Sequence, residues 1–317
     1  MEKSLNTNII EEIKRKKSEK NAIILAHFYQ TGDIQDIADF VGDSLALSQK
    51  AASNNAEIIL FAGVKFMAET AKILAPEKKV LLPDLNAGCS LADSCKPEDF
   101  RKFIDDNPGR TVVTYVNTTA EIKAMSDIIC TSSNAIQIIN SLPENEKIIF
   151  GPDRNLGNFI LNKTGRDILI WNGACHVHEE FSLEAILKLK DEYPEAKIIV
   201  HPECELPVRM ISDFIGSTSA LLNFTRKDSA SVYIVATEPG IMHQMNKENP
   251  VKKYIPASPK DSTCGCSECN FMKLITIEKI YNCLKYEKPE IFIDNKIINQ
   301  AQKPIRRMME ISEKEGL

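Results

Sequence analysis

Three stretches of this 317-residue chain align with one another at nearly constant spacing, and that repeat limits what the chain can fold into. IADFVGDSLAL begins at Ile37, MSDIICTSSNA at Met125 and ISDFIGSTSAL at Ile211, offsets of 88 and 86 residues. Each carries an aspartate at its third position (Asp39, Asp127, Asp213), followed by a short apolar run. The register extends in both directions. Upstream, apolar runs end in AHFYQ, YVNTT and HPECE, so that His27, Tyr115 and His201 lie 17 residues before Ser44, Ser132 and Thr218. Downstream, third runs end at Gly63, Gly151 and Ala236, each close to 19 residues later. Three landmarks in three copies argue for a threefold duplication.

Within the copies, β-branched runs such as AIILA (22–26), IILFA (58–62), TVVTYV (111–116), KIIFG (147–151), KIIVH (197–201) and SVYIVA (231–236) alternate with segments of helical period such as SLEAILKLKDEY (182–193). Short buried strands alternating with helices predict parallel sheets of the α/β class. The expectation is three homologous doubly wound units over 1–107, 108–194 and 195–317, the last with C-terminal helices, in a pseudo-threefold arrangement. Open parallel sheets bind ligands beyond the carboxyl ends of their strands. The polar residues at those ends would then face one central cavity.

Charge narrows the partners. With 39 basic and 44 acidic residues the net charge is −5, so no positive field favours nucleic acid or an anionic membrane. No apolar run approaches the roughly 18 residues of a membrane span, and MEKSLNTNIIEEIKRKK reads as a charged amphipathic helix rather than a signal peptide. A cytosolic protein with small-molecule partners is expected. Its nine cysteines then read as thiols, some of them ligands, rather than as a disulfide framework.

Past its fourth strand, each copy delivers cysteine at the equivalent edge: Cys89 in NAGCSLAD, Cys175 in NGACHVHE, and Cys264, Cys266 and Cys269 in STCGCSECNF. Three thiolates converging from three units suit a 4Fe-4S cluster with one iron lacking a protein ligand. Zinc is the weaker alternative, and packing in tight turns is the bland one. From Ser44 to Cys89 is 45 residues and from Ser132 to Cys175 is 43; from Thr218 the late cysteines lie at 46, 48 and 51, so spacing alone favours Cys264. Cys95, Cys130, Cys204 and Cys283 read as packing residues.

The chain resembles the quinolinate synthase family over nearly its full length. The resemblance rests on AHFYQ (26–30), GDS (42–44), GVKFMAETAKIL (63–74), AGCSLAD (87–93), YVNTTAE (115–121), CTSSNA (130–135), GPDRNLG (151–157), WNGACHVHE (171–179), HPEC (201–204), GST (216–218) and CNFMKLIT (269–276). In that family the third ligand lies three residues before the Met of a Met-Lys-x-x-Thr-like tail, which here selects Cys269 over Cys264. Asn270 departs from the family, many members having Pro after that ligand. Cys264 and Cys266 are left over, as a regulatory dithiol or as inert loop thiols; the second reading is favoured, since cysteines one residue apart close a strained ring poorly.

The resemblance implies condensation of iminoaspartate with dihydroxyacetone phosphate to quinolinate, phosphate and two waters, feeding NAD biosynthesis. One 4Fe-4S cluster held by Cys89, Cys175 and Cys269 would act as a Lewis acid. Transient contact with the enzyme that supplies the unstable iminoaspartate is a further implication. Ser44, Ser132 and Thr218, with Tyr115 and Asn117, would bind the carboxylates and phosphate; ordinary helix N-capping is the competing reading of the three hydroxyls. His27, Tyr29, His201 and Glu203, at first-strand ends, are the candidates for proton transfer. Met67 would form an apolar wall, while His176 and His178 would orient the Cys175 loop. His243 has no evident role, and Asp39, Asp127 and Asp213 read as structural turn or cap residues. Two other readings remain at this point: another three-lobed iron-sulfur enzyme such as a diphosphate reductase, and a zinc-containing binding protein.

Overall fold

Each copy of the repeat folds into a four-stranded parallel sheet, and the three sheets share one strand order. In the computed structural model, which describes residues 2–260 and 267–317, the first sheet holds β1 (Ala22–His27), β2 (Phe40–Gly42), β3 (Ile58–Ala62) and β4 (Lys79–Leu81). The second holds β5 (Thr111–Tyr115), β6 (Ile128–Cys130), β7 (Ile148–Gly151) and β8 (Ile168–Ile170). The third holds β9 (Lys197–Val200), β10 (Phe214–Ile215), β11 (Val232–Ala236) and β12 (Lys253–Pro256). The orders are β2-β1-β3-β4, β6-β5-β7-β8 and β10-β9-β11-β12. Helices cross between successive strands, as parallel pairing requires. The central strands are buried on both faces, which is why they read as unbroken apolar runs. Cys264 and Cys266 lie outside the described residues.

The three repeated aspartates do one job. Asp39 Oδ2 accepts from Ile24 N at 2.7 Å, Asp127 Oδ2 from Val112 N at 2.8 Å and Asp213 Oδ2 from Ile198 N at 2.8 Å. Their own N–H groups donate back to the carbonyls of the same strand residues. Each aspartate is therefore a clamp tying the start of the second strand to the first, a structural role but not a helix cap.

The C-terminal helices cover the first two sheets rather than the third. In Asn295–Lys314 the buried residues Ile298, Ala301, Ile305, Met308 and Ser312 recur at alternating spacings of three and four, one face of a helix. That face lies on the helix Ala120–Met125, on β6 and on the helix Lys65–Leu74. One apolar core consequently runs through the first and second sheets and both C-terminal helices, while the third sheet has a separate cluster on each face. Among the described residues, no helix is long and apolar enough to cross a membrane.

Candidate active site and metal-ligand set

The carboxyl ends of the three sheets surround a cavity. Every site residue expected from the sequence lines it: His27, Tyr29, Ser44, Met67 and Cys89 from the first lobe, Tyr115, Asn117, Ser132 and Cys175 from the second, His201, Glu203 and Thr218 from the third, with Cys269 from the segment that follows. Among the described lining residues there is no Lys or Arg. Positive potential comes instead from helix N-termini. Ser44 and Thr218 are the first residues of the helices Ser44–Ser53 and Thr218–Lys227.

The capping reading of these hydroxyls is corrected, by one residue in the first and third lobes and by two in the second. Asp43 caps the first helix, accepting from Ala46 N at 3.0 Å, and Ser217 caps the other, accepting from Ala220 N at 3.3 Å. In the second lobe Asn134 is the cap residue of the helix Ala135–Asn140, and its Oδ1 accepts from Thr131 N. The hydroxyls of Ser44, Ser132 and Thr218 are thus released from capping. The caps also meet across the lobes, for Ser133 Oγ donates to Asp43 Oδ2 at 2.6 Å and lies 2.8 Å from Ser217 Oγ.

His27 and His201 are held alike. Nδ1 of His27 accepts from Tyr29 N at 3.2 Å, and Nδ1 of His201 accepts from Glu203 N at 3.4 Å. Since Nδ1 is an acceptor in both, Nε2 carries the proton, and that of His201 meets Ser132 Oγ at 3.2 Å. Burial pushes His27 down to about 4 and His201 to about 3, so both are neutral hydrogen-bond donors at neutral pH.

Glu203 Oε2 lies 2.8 Å from His178 Nδ1. Burial acts to raise Glu203, but its neighbours, His178 first, outweigh that and lower the carboxyl from its ordinary value. Asp153 moves the other way, raised by burial and by the Glu203 charge. Burial and the same charge raise Tyr29, whose hydroxyl meets Thr218 Oγ1 at 3.0 Å and Thr237 Oγ1 at 2.8 Å. Two buried acceptors on the cavity wall, Glu203 Oε1 and Asn117 Oδ1, have no partner among the described residues. A ligand is the ordinary way to satisfy such atoms.

The three cysteines stand in equivalent turns. In each, the cysteine carbonyl accepts from the N–H four residues on: Asp93 at 2.9 Å, Glu179 at 3.1 Å and Lys273 at 3.2 Å. Burial raises all three thiols, Cys89 to about 12. Three cysteines on one cavity wall can be deprotonated together only with a cation among them, the form in which thiols bind a metal. The residues therefore fit a thiolate-bound metal group. A second donor set overlaps it, since Cys175 Sγ, His178 Nδ1 and Glu203 Oε2 lie within 4.8 Å of one another.

The family is decided by comparison. Residues 11–310 match the model of the quinolinate synthetase A protein (NadA) family. The chain belongs to that family. It is 60% identical over 296 residues to a quinolinate synthase of Rippkaea orientalis, covering 93% of this chain and 91% of the relative. Against the quinolinate synthase of Microcystis aeruginosa the identity is 57% over 309 residues, 98% of this chain and 97% of the relative. With that of Synechocystis sp. it is 54% over 311 residues, 98% of each.

Some residues of the site escape a sequence reading. Thr237 and Glu238 follow the third-lobe strand β11, and Asp153 follows β7 at the equivalent place. Glu238, fully buried, pairs with Lys273 at 2.7 Å and accepts from Cys269 N at 3.3 Å, so it anchors the Cys269 loop to the third lobe. The signal was present: two residues beyond the third-strand ends Gly63, Gly151 and Ala236 stand Lys65, Asp153 and Glu238, charged in every copy. Lys123 gave no such signal, yet it is a wholly buried ammonium, held down to about 8 by burial and raised in part by the neighbouring Glu69 and Cys89. Of the histidines around Cys175, His176 Nδ1 bonds Ser90 Oγ at 2.6 Å, linking the Cys175 and Cys89 loops. His243 meets Asp36 at 3.0 Å, outside the cavity.

Proposed function

We propose that the protein is a quinolinate synthase that condenses iminoaspartate with dihydroxyacetone phosphate, releasing phosphate and two waters, and that Cys89, Cys175 and Cys269 hold one 4Fe-4S cluster. The observation that carries this is one cysteine per lobe, each opening a turn with the same backbone bond, on a cavity that also gathers Ser44, Ser132 and Thr218 from the three lobes. When bound, the cluster supplies a Lewis-acidic iron with no protein ligand.

The chain's own groups divide the remaining work. Ser44, Ser132 and Thr218, at or beside helix starts, take the carboxylates and phosphate, anions that such ends bind without mobile cations. Asn117 Oδ1 accepts from a substrate N–H or O–H. The neutral imidazoles of His27 and His201 donate their Nε2 protons to oxygen atoms that gain charge. Glu203, ionised at rest, accepts a proton through Oε1, and Tyr29 and Tyr115 complete the proton path. Met67 and Val64 close the apolar side.

Anaerobic assay for quinolinate from the two substrates, with iron and sulfide analysis of the same sample, tests the reading. Product together with about four irons and four sulfides per chain is expected from the cube. A second reading, a single ion such as zinc, is favoured by the Cys175, His178 and Glu203 donor set. One metal per chain without sulfide would establish it.

A further inference from the structure

We propose that Thr237 is a positioning residue whose hydroxyl holds together a hydrogen-bonded relay from Tyr29 in the first lobe, through His178 in the second, to Glu203 in the third. Thr237 is not on the cavity wall and is only 1% exposed. Its hydroxyl lies 2.8 Å from the Tyr29 hydroxyl and 3.0 Å from His178 Nε2. A single side-chain oxygen behind the wall thus touches both.

The chain of contacts is continuous. His178 Nδ1 faces Glu203 Oε2 at 2.8 Å, and a carboxylate can only accept, so Nδ1 carries a proton. Nε2 on the far side of the same ring meets Thr237, and Thr237 meets the Tyr29 hydroxyl, which also lies 3.0 Å from Thr218 Oγ1.

Two consequences separate this from ordinary satisfaction of a buried hydroxyl. Tyr29 is linked through two intermediaries to the Glu203 carboxylate. His178, whose Nδ1 is also 3.3 Å from Cys175 Sγ, is held at both ring nitrogens. Without the Thr237 hydroxyl the phenol and the imidazole each lose a partner that the other shares.

The inference rests on the proposed activity, and its test separates the two. Thr237→Val keeps the shape and removes the hydroxyl; Thr237→Ser keeps the hydroxyl. In the iron-loaded enzyme, Val should retain wild-type iron and unfolding temperature while kcat falls about 10- to 100-fold and KM stays within about twofold, the pattern of a lost transition-state contact. Ser should recover most of the rate. Crystal structures should show Tyr29 or His178 displaced in Val and unmoved in Ser. Full activity in Val, or a Ser variant as impaired as Val, would overturn the proposal. Should Val not fold, Thr237→Ala carries the same expectations. Should the wild-type enzyme make no quinolinate, the proposed activity falls and the crystal structures decide alone: Tyr29 and His178 unmoved in Val would refute the relay.

Discussion

The two ends of the sheets differ in how far the three lobes have kept the same answer. Toward the amino ends, Asp39, Asp127 and Asp213 make the same clamp to the first strand, with bonds of 2.7, 2.8 and 2.8 Å. At the carboxyl ends, equivalent positions hold His27, Tyr115 and His201, then Tyr29, Asn117 and Glu203. A clamp answers a backbone problem that is identical in every copy. The cavity wall faces one unsymmetrical pair of reactants from three sides, so each lobe supplies different chemistry. What remains threefold at that edge is the cysteine turns and the hydroxyls of Ser44, Ser132 and Thr218.

The largest test of this contrast concerns those turns. Cys89→Ala, Cys175→Ala and Cys269→Ala should each lose cluster iron and all activity, whereas Cys264→Ala should retain both, read by iron and sulfide analysis. Normal iron in Cys269→Ala with loss in Cys264→Ala would make the simple residue count right and the family tail wrong. Next come the dissimilar wall residues. Tyr29→Phe and Glu203→Gln should keep iron and lower kcat by about 10² to 10⁴, the usual range for a removed acid or base. Near wild-type turnover in both would take them out of the proton path.

At the amino ends the effects should be smaller and alike. Alanine in place of Asp39, Asp127 or Asp213 should each cost about 1 kcal/mol in urea unfolding, the scale of one hydrogen bond, with kcat unchanged. A much larger loss in one copy would break the equivalence. The smallest effect belongs to Glu287, which pairs at 2.5 Å with both Lys20 and Lys79, beside the start of β4. Hydrogen bonds from Lys20 and Lys79 lower it from its ordinary 4.5 to about 2. A depressed carboxyl stabilises the fold above its unfolded value and loses that contribution as pH falls toward the folded one. Glu287→Gln should thus be less stable than wild type near neutrality, and the gap should close between about pH 4.5 and pH 2, followed by acid unfolding.

Much of the fold could be read from the chain because the repeat is written in local terms. Strand, crossover helix and aspartate recur within windows of some tens of residues, and a period-two or period-3.6 pattern needs no knowledge of the other lobes. The same register put the polar strand ends and the cysteines at one edge. It misplaced the caps by one or two residues, since a hydroxyl at the cap and one beside it look alike in sequence.

What the sequence alone determined is therefore threefold: three doubly wound sheets, their chemical edge, and a set of thiols on that edge. Tertiary structure decided which groups meet across lobes. Ser133 reaches Asp43 and Ser217, Thr237 joins Tyr29 to His178, Glu238 holds the Cys269 loop, and the helix Asn295–Lys314 crosses the first two lobes rather than the third. Each of these depends on how whole sheets are placed against one another. That placement is set by many small packing contributions spread over the shared core, so no single short stretch of residues carries it.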